Sequence, residues 1–180
     1  MFDDFAAAAR YLIDRKFTSS AQLAIFGQSN GGLLMGATLT QNPAVARAVV
    51  SQVGIYDMLR VELDANGEFN ITEYGSVKDP EQFKALYAYS PYHHVTKGAP
   101  YPAVLLTAGL NDGRVNALQS RKFAAALQAA SISGHPILLY TTGSGHGIGD
   151  SRDQWIEGEA DVVAFLFDQL RLTLPASAAR

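Results

Sequence analysis

The sequence contains no cysteine among its 180 residues. That excludes a disulfide framework and a thiol nucleophile, and with four scattered histidines a structural zinc site is not expected. Charge is sparse as well, at 17% of residues with a net value of -3, so no basic face is available to attract nucleic acid or an anionic membrane. No apolar run approaches the ~20 residues of a membrane-spanning helix. The opening Met1-Phe2-Asp3-Asp4 carries acids where an export leader carries bases, so the expected location is cytoplasmic. No cofactor is expected. What remains is 48% hydrophobic, in a chain long enough to bury roughly 70% of its unfolded surface.

Apolar periodicity alternates between helix and strand. Asp4 to Lys16 reads as a helix with Phe5, Ala8, Leu12 and Ile13 on one face and acids in its first turn. Strands are expected near 22–27, 47–53, 103–108 and 136–141, and helices near 31–41, 116–130 and 153–170. Between Asp57 and Pro102 lies a long polar connection with short helical pieces such as Glu81 to Tyr87, and a connection of that length is expected to cover a site. The pattern predicts an α/β fold of about four parallel strands with helices on both faces. Residues 1–170 read as one partial domain, and 171–180 as a frayed tail.

The most informative stretch is Gly27-Gln28-Ser29-Asn30-Gly31, where an apolar strand gives way to a helix. A turn that sharp needs glycines on either side of its central residue and lifts the serine oxygen clear of the sheet, which suits a nucleophile. Such a serine needs an imidazole to take its proton and a carboxylate to hold that imidazole's tautomer. His146, in Gly143-Ser144-Gly145-His146-Gly147, follows one expected strand, and Asp112 follows another, Val104 to Gly109. Both therefore gather with Ser29 at the same edge of the sheet. Their order, serine then acid then histidine, is that of α/β-hydrolases.

Other residues compete for these roles. Asp57 also follows a strand end and ranks second to Asp112 as the acid. His93 and His94 sit side by side in a turn-like stretch and read as turn or surface groups; His135 precedes Pro136 and reads as a solvated loop residue. Asp150 and Asp153 read as caps of the final helix.

Several motifs in sequence order resemble the C-terminal part of the catalytic domain of the prolyl oligopeptidase family of serine peptidases. They are Phe2-Asp3-Asp4-Phe5, Gly27 to Leu34, Asp57-Met58-Leu59-Arg60, Glu73-Tyr74-Gly75, Tyr89-Ser90-Pro91, Asn111 to Val115 with Gln119-Ser120 and Lys122-Phe123, and Gly145-His146-Gly147. The resemblance implies Ser29 as nucleophile, His146 as general base and acid, and Asp112 as its orienting carboxylate. It implies that Arg114 binds a substrate carbonyl, that the Asn30 backbone N–H forms one arm of the oxyanion hole, and that Tyr74 lines the substrate pocket. Asn70 stands where the family's proline-stacking aromatic would fall, with Phe69 beside it as the substitute.

The same resemblance implies a β-propeller and several strands ahead of the nucleophile strand, with the second oxyanion donor among them. Within this sequence that donor is expected to come from elsewhere, or catalysis to fall by about 10²–10³. The nucleophile strand is expected at a sheet edge, where it invites pairing with a second copy of the chain. Two functions follow as expectations: a serine hydrolase acting on small esters or peptides through an acyl-enzyme on Ser29, or an inactive hydrolase fragment serving as an oligomerising or binding module.

Overall fold

The computed structural model describes residues 1–147 and 151–173. Helix α1 (Phe2–Asp14) leads to β1 (Ala24–Gln28), α2 (Asn30–Gln41) and β2 (Ala48–Gln52). Then come α3 (Gly67–Tyr74), α4 (Pro80–Tyr89), β3 (Ala103–Gly109), α5 (Leu118–Ala130), β4 (Ile137–Thr142) and α6 (Arg152–Leu170). The four strands form one parallel sheet in the order β1-β2-β3-β4, so each crossover carries the chain to the adjacent strand. Parallel neighbours cannot be joined by a tight turn, which is why a helical crossover separates each pair.

Side-chain alternation assigns the faces. Ile25, Val49, Val104, Leu106 and Ile137 pack with Met35, Leu39, Phe123 and Leu127 under α2 and α5. Ala48, Val50, Ala103 and Leu105 meet Val162 and Phe165 of α6 on the other side. Fully buried Leu or Phe side chains of this kind are each worth about 1.5–3 kcal/mol relative to exposure. Cover on the α6 side is incomplete, and Phe26, Leu138 and Tyr140 remain substantially exposed there. β1 is an edge strand, paired only with β2 among the described residues.

The connection between β2 and β3 contains the helical piece expected at Glu81 to Tyr87, as α4, but is more ordered and more apolar than the polar stretch expected around it. It folds into α3, α4 and two 3-10 turns (Val61–Leu63 and Pro91–His94), and its Met58, Val61 and Leu86 form a separate apolar cluster with Leu33, Ile55 and Val115. Helix α4 starts where Asp79 accepts from the N–H groups of Glu81 and Gln82, with Pro80 at the first helical position. At α6, Ser151 is the cap, in a reciprocal capping box with Gln154, and Asp153 lies in the first turn instead. Asp150 and residues 174–180 of the expected tail lie outside the described residues.

Candidate active site

Strand β1 ends and α2 begins around Ser29, which adopts φ 58° and ψ -117°. A side-chain-bearing residue held at positive φ costs of order 1–3 kcal/mol and persists only where its surroundings enforce it. Here they do. The Ser29 N–H donates to the Gln52 carbonyl at 2.8 Å, tying the turn to β2. A Cβ on Gly27 would lie 2.3 Å from the Gly31 carbonyl oxygen, so only glycine permits the return of the chain at that position. Gly31 itself has open space where a Cβ would stand, in contrast to the expectation that both flanking glycines are needed; the second required glycine is Gly32, where a Cβ would lie 2.6 Å from the Gly54 Cα.

The loops after β3 and β4 are built against each other. Leu110 N–H donates to Thr142 O at 2.9 Å, Asn111 N–H to Ser144 O at 3.1 Å, and the Asn111 side chain to Gly143 O at 2.7 Å. Gly109 lets the histidine loop approach, since a Cβ there would meet Gly145 O at 2.3 Å. This clamp brings His146 to Asp112. Asp112 Oδ1 accepts from the N–H groups of Arg114 and Val115 at 2.8 and 2.9 Å, leaving Oδ2 to accept from His146 Nδ1 at 2.6 Å. On the far side of the ring, His146 Nε2 lies 2.8 Å from Ser29 Oγ. Because a carboxylate only accepts, the ring proton sits on Nδ1, and Nε2 presents a lone pair to the serine hydroxyl. Both partners are shielded, at 8% side-chain exposure for His146 and 1% for Asp112.

A cavity of about 380 Å³ opens beside Ser29, walled by Asn30, Ile55, Phe69, Tyr74 and Arg114. Asn30 opens α2, so its backbone N–H is one of the helix's unpaired N-terminal donors, on the positive end of the dipole. Arg114 is exposed and makes no ion pair among the described residues. Tyr74 is half-buried, and burial, reinforced by the Glu73 carboxylate, pushes its phenol well above the ordinary value, so it stays neutral. Asn70 is buried and donates to Val61 O, while the exposed ring of Phe69 joins Tyr74 at the cavity.

The rival residues belong elsewhere. Asp57 is buried in an ion pair with Lys122, assisted by Arg60, and does not reach the imidazole of His146. His93 is more enclosed than a surface group, with Nδ1 2.8 Å from Ser90 Oγ and burial lowering its pKa; His94 contacts Tyr87 O. His135 is held against Arg47, with Nε2 2.7 Å from the guanidinium, where burial and that charge lower its pKa. Glu73 was not among the expected site residues, yet its carboxylate accepts from the Asn30 side chain at 3.0 Å, inside the same cavity. The Glu73-Tyr74-Gly75 motif marks its position, but a lone glutamate on a short helix does not reveal which way it faces. Among the described residues no cluster of side chains is suited to a metal ion, and no helix is long and apolar enough to cross a membrane.

Residues 1–173 match the profile described as the prolyl oligopeptidase family. The chain belongs to that family. It is 40% identical over 167 residues to a prolyl endopeptidase of Elizabethkingia miricola, covering 92% of this chain and 24% of the relative. It is 37% identical to the dual function macrocyclase-peptidase POPB of Galerina marginata, over 96% of this chain and 24% of that protein. A solved prolyl endopeptidase superposes with a TM-score of 0.92 at 46% identity, covering 96% of this chain and 26% of the other. Oligopeptidase B from Leishmania major superposes at 0.93 with 29% identity, covering 98% and 25%. The chain thus spans about a quarter of the length of these relatives, in the same α/β hydrolase-domain fold.

Proposed function

We propose that this chain carries the acyl-transfer centre of a serine peptidase. The observation behind the reading is the continuous line from Ser29 Oγ through both nitrogens of His146 to Asp112, at 2.8 and 2.6 Å, assembled from three loops. Ser29 Oγ attacks a substrate carbonyl as its proton passes to His146 Nε2, and Asp112 stabilises the imidazolium. The oxyanion of the tetrahedral intermediate meets the Asn30 N–H, where the helix dipole favours negative charge. The imidazolium then protonates the leaving amine or alcohol, and a water activated by His146 releases the acyl group from Ser29. Arg114 holds a second substrate carbonyl, while Phe69 and Tyr74 wall the side-chain subsite.

The relatives' names point to peptides as the natural substrate class, and an activated ester offers the simplest laboratory acyl donor. A p-nitrophenyl acetate burst of one equivalent per chain, lost in Ser29→Ala, supports the reading; identical traces for the two proteins refute it. We also propose that the exposed edge of β1, with half-exposed Phe26 beside it, pairs with a second copy of the chain. Light scattering over micromolar concentrations then gives a dimer or larger mass that Phe26→Lys reduces, and a constant monomer mass contradicts it.

A further inference from the structure

Gln119 is the second residue of α5 and is 5% exposed, yet its side chain hydrogen-bonds to none of Ser29, His146 and Asp112. Its side chain joins three segments. Oε1 accepts from the N–H groups of Tyr56 and Asp57 at 3.0 and 2.7 Å, and Nε2 donates to Asp64 Oδ2 at 3.2 Å. Its own N–H bonds to Asn116 O at 2.9 Å, on the loop that begins with Asp112. Ile55, next to Tyr56, lines the cavity beside Ser29. The Asp64 carbonyl accepts from Gly67 N–H at 2.8 Å, and Gly67 opens α3, which supplies Phe69 and Tyr74. One buried amide thus links the acid loop, the exit of β2 and the helix that walls the cavity.

We infer that Gln119 is a positioning residue that sets the substrate subsite relative to the triad, through an acceptor turned to the β2 exit and a donor turned to Asp64. The inference rests on the acyl-transfer reading above. Both polarities are needed: two N–H groups demand an acceptor, and a carboxylate demands a donor. Hydrophobic contact alone does not explain a buried amide that satisfies three partners 55 to 63 residues away. Asp64 sits in a crowded electrostatic setting. Burial raises its pKa, hydrogen bonds from Gln119 and Asn116 oppose the rise, Asp57 adds to it and Lys122 reduces it. Around Asp57 stand Arg60, Lys122 and His93.

The test exchanges polarity in the whole chain. Gln119→Glu keeps the acceptor for the two N–H groups but turns a carboxylate toward Asp64. With an N-acyl aminoacyl nitrophenyl ester that fills the subsite, KM rises about tenfold near neutral pH, within the coupling range of contacting residues, and kcat falls less. As pH drops and one proton comes to be shared by the two carboxyls, KM returns toward the parent value. Adding Asp64→Asn restores a donor and acceptor pair with reversed sense and brings KM back to within about twofold at neutral pH. A purely structural role predicts lowered melting temperature with unchanged KM in the folded fraction. If Gln119→Glu alone fails to fold, the double variant and Gln119→Met carry the test, the latter raising KM without the pH dependence. Unchanged KM in every folded variant, or a double variant that regains its melting temperature but not its KM, overturns the assignment. A parent protein without a Ser29-dependent burst refutes the acyl-transfer reading itself, and this role with it.

Discussion

Replacing Asp112 by Asn changes one atom in the line that connects it to Ser29, and the structure says which proton is misplaced. The new side chain keeps an oxygen to accept from Arg114 and Val115 N–H, as Asp112 Oδ1 does at 2.8 and 2.9 Å, so the loop keeps its shape. Its amide nitrogen then faces His146 Nδ1, where the carboxylate oxygen stood at 2.6 Å. An N–H donor at that place requires Nδ1 to accept, which moves the ring proton to Nε2 and aims it at Ser29 Oγ, 2.8 Å away. The imidazole then has no lone pair with which to take the serine proton. In serine hydrolases the equivalent change lowers kcat by about 10⁴. That factor corresponds to about 5.4 kcal/mol of barrier. The assay is stopped-flow acylation by p-nitrophenyl acetate near neutral pH, alongside a thermal melt to show that the fold is kept. A folded Asp112→Asn protein that acylates within about tenfold of the parent refutes the tautomer argument.

Further perturbations probe the scaffold. Gly27→Ala places a methyl 2.3 Å from Gly31 O, and the resulting overpacking costs about 2–3 kcal/mol in a urea melt; an unchanged midpoint contradicts the required-glycine argument. Lys122→Met leaves the buried Asp57 without its nearest cation and destabilises by about 3 kcal/mol, with less than about 1 kcal/mol refuting the ion pair's role. His93 and His135 both have pKa values depressed below the ordinary 6.5, so the folded state favours their neutral forms. Their contribution is present above 6.5 and is lost as pH falls below it, because the unfolded chain then binds the protons first. Melting temperatures between about pH 5 and 8 accordingly fall on the acid side, and His93→Gln with His135→Gln flattens that limb; an unaltered slope contradicts the assignment.

The order of elements was legible because each has its own signal. Short apolar runs mark β1 to β4, and the Gly27 to Gly31 stretch marks the turn into α2. The gathering of Ser29, Asp112 and His146 at one sheet edge also follows from the sequence, since all three come directly after strands of a parallel sheet and strand ends are brought together by topology. The connection after β2 was legible only in part, through the helical piece at Glu81 to Tyr87 that is α4. Its helices α3 and α4 are short, and their packing depends on Val61 and Leu86 meeting Leu33 and Val115 from distant parts of the chain. The same non-local origin hid Glu73 beside Asn30 and the Gln119 link to Asp64, because such bonds join residues 43 and 55 positions apart. His93 and His135 keep the turn and loop positions expected for them, and only their contacts with Ser90 and Arg47, from neighbours the sequence does not reveal, make them less solvated than expected.

The most direct measurement is mass spectrometry of the full chain after exposure to an alkyl fluorophosphonate, which forms a stable adduct only with an activated serine. The account predicts a single adduct, mapped to Ser29, that is absent in Ser29→Ala and forms far more slowly in Asp112→Asn. A folded protein that stays unlabelled, or that is labelled elsewhere at the same rate in all three forms, contradicts the claim that this line of residues activates a nucleophile.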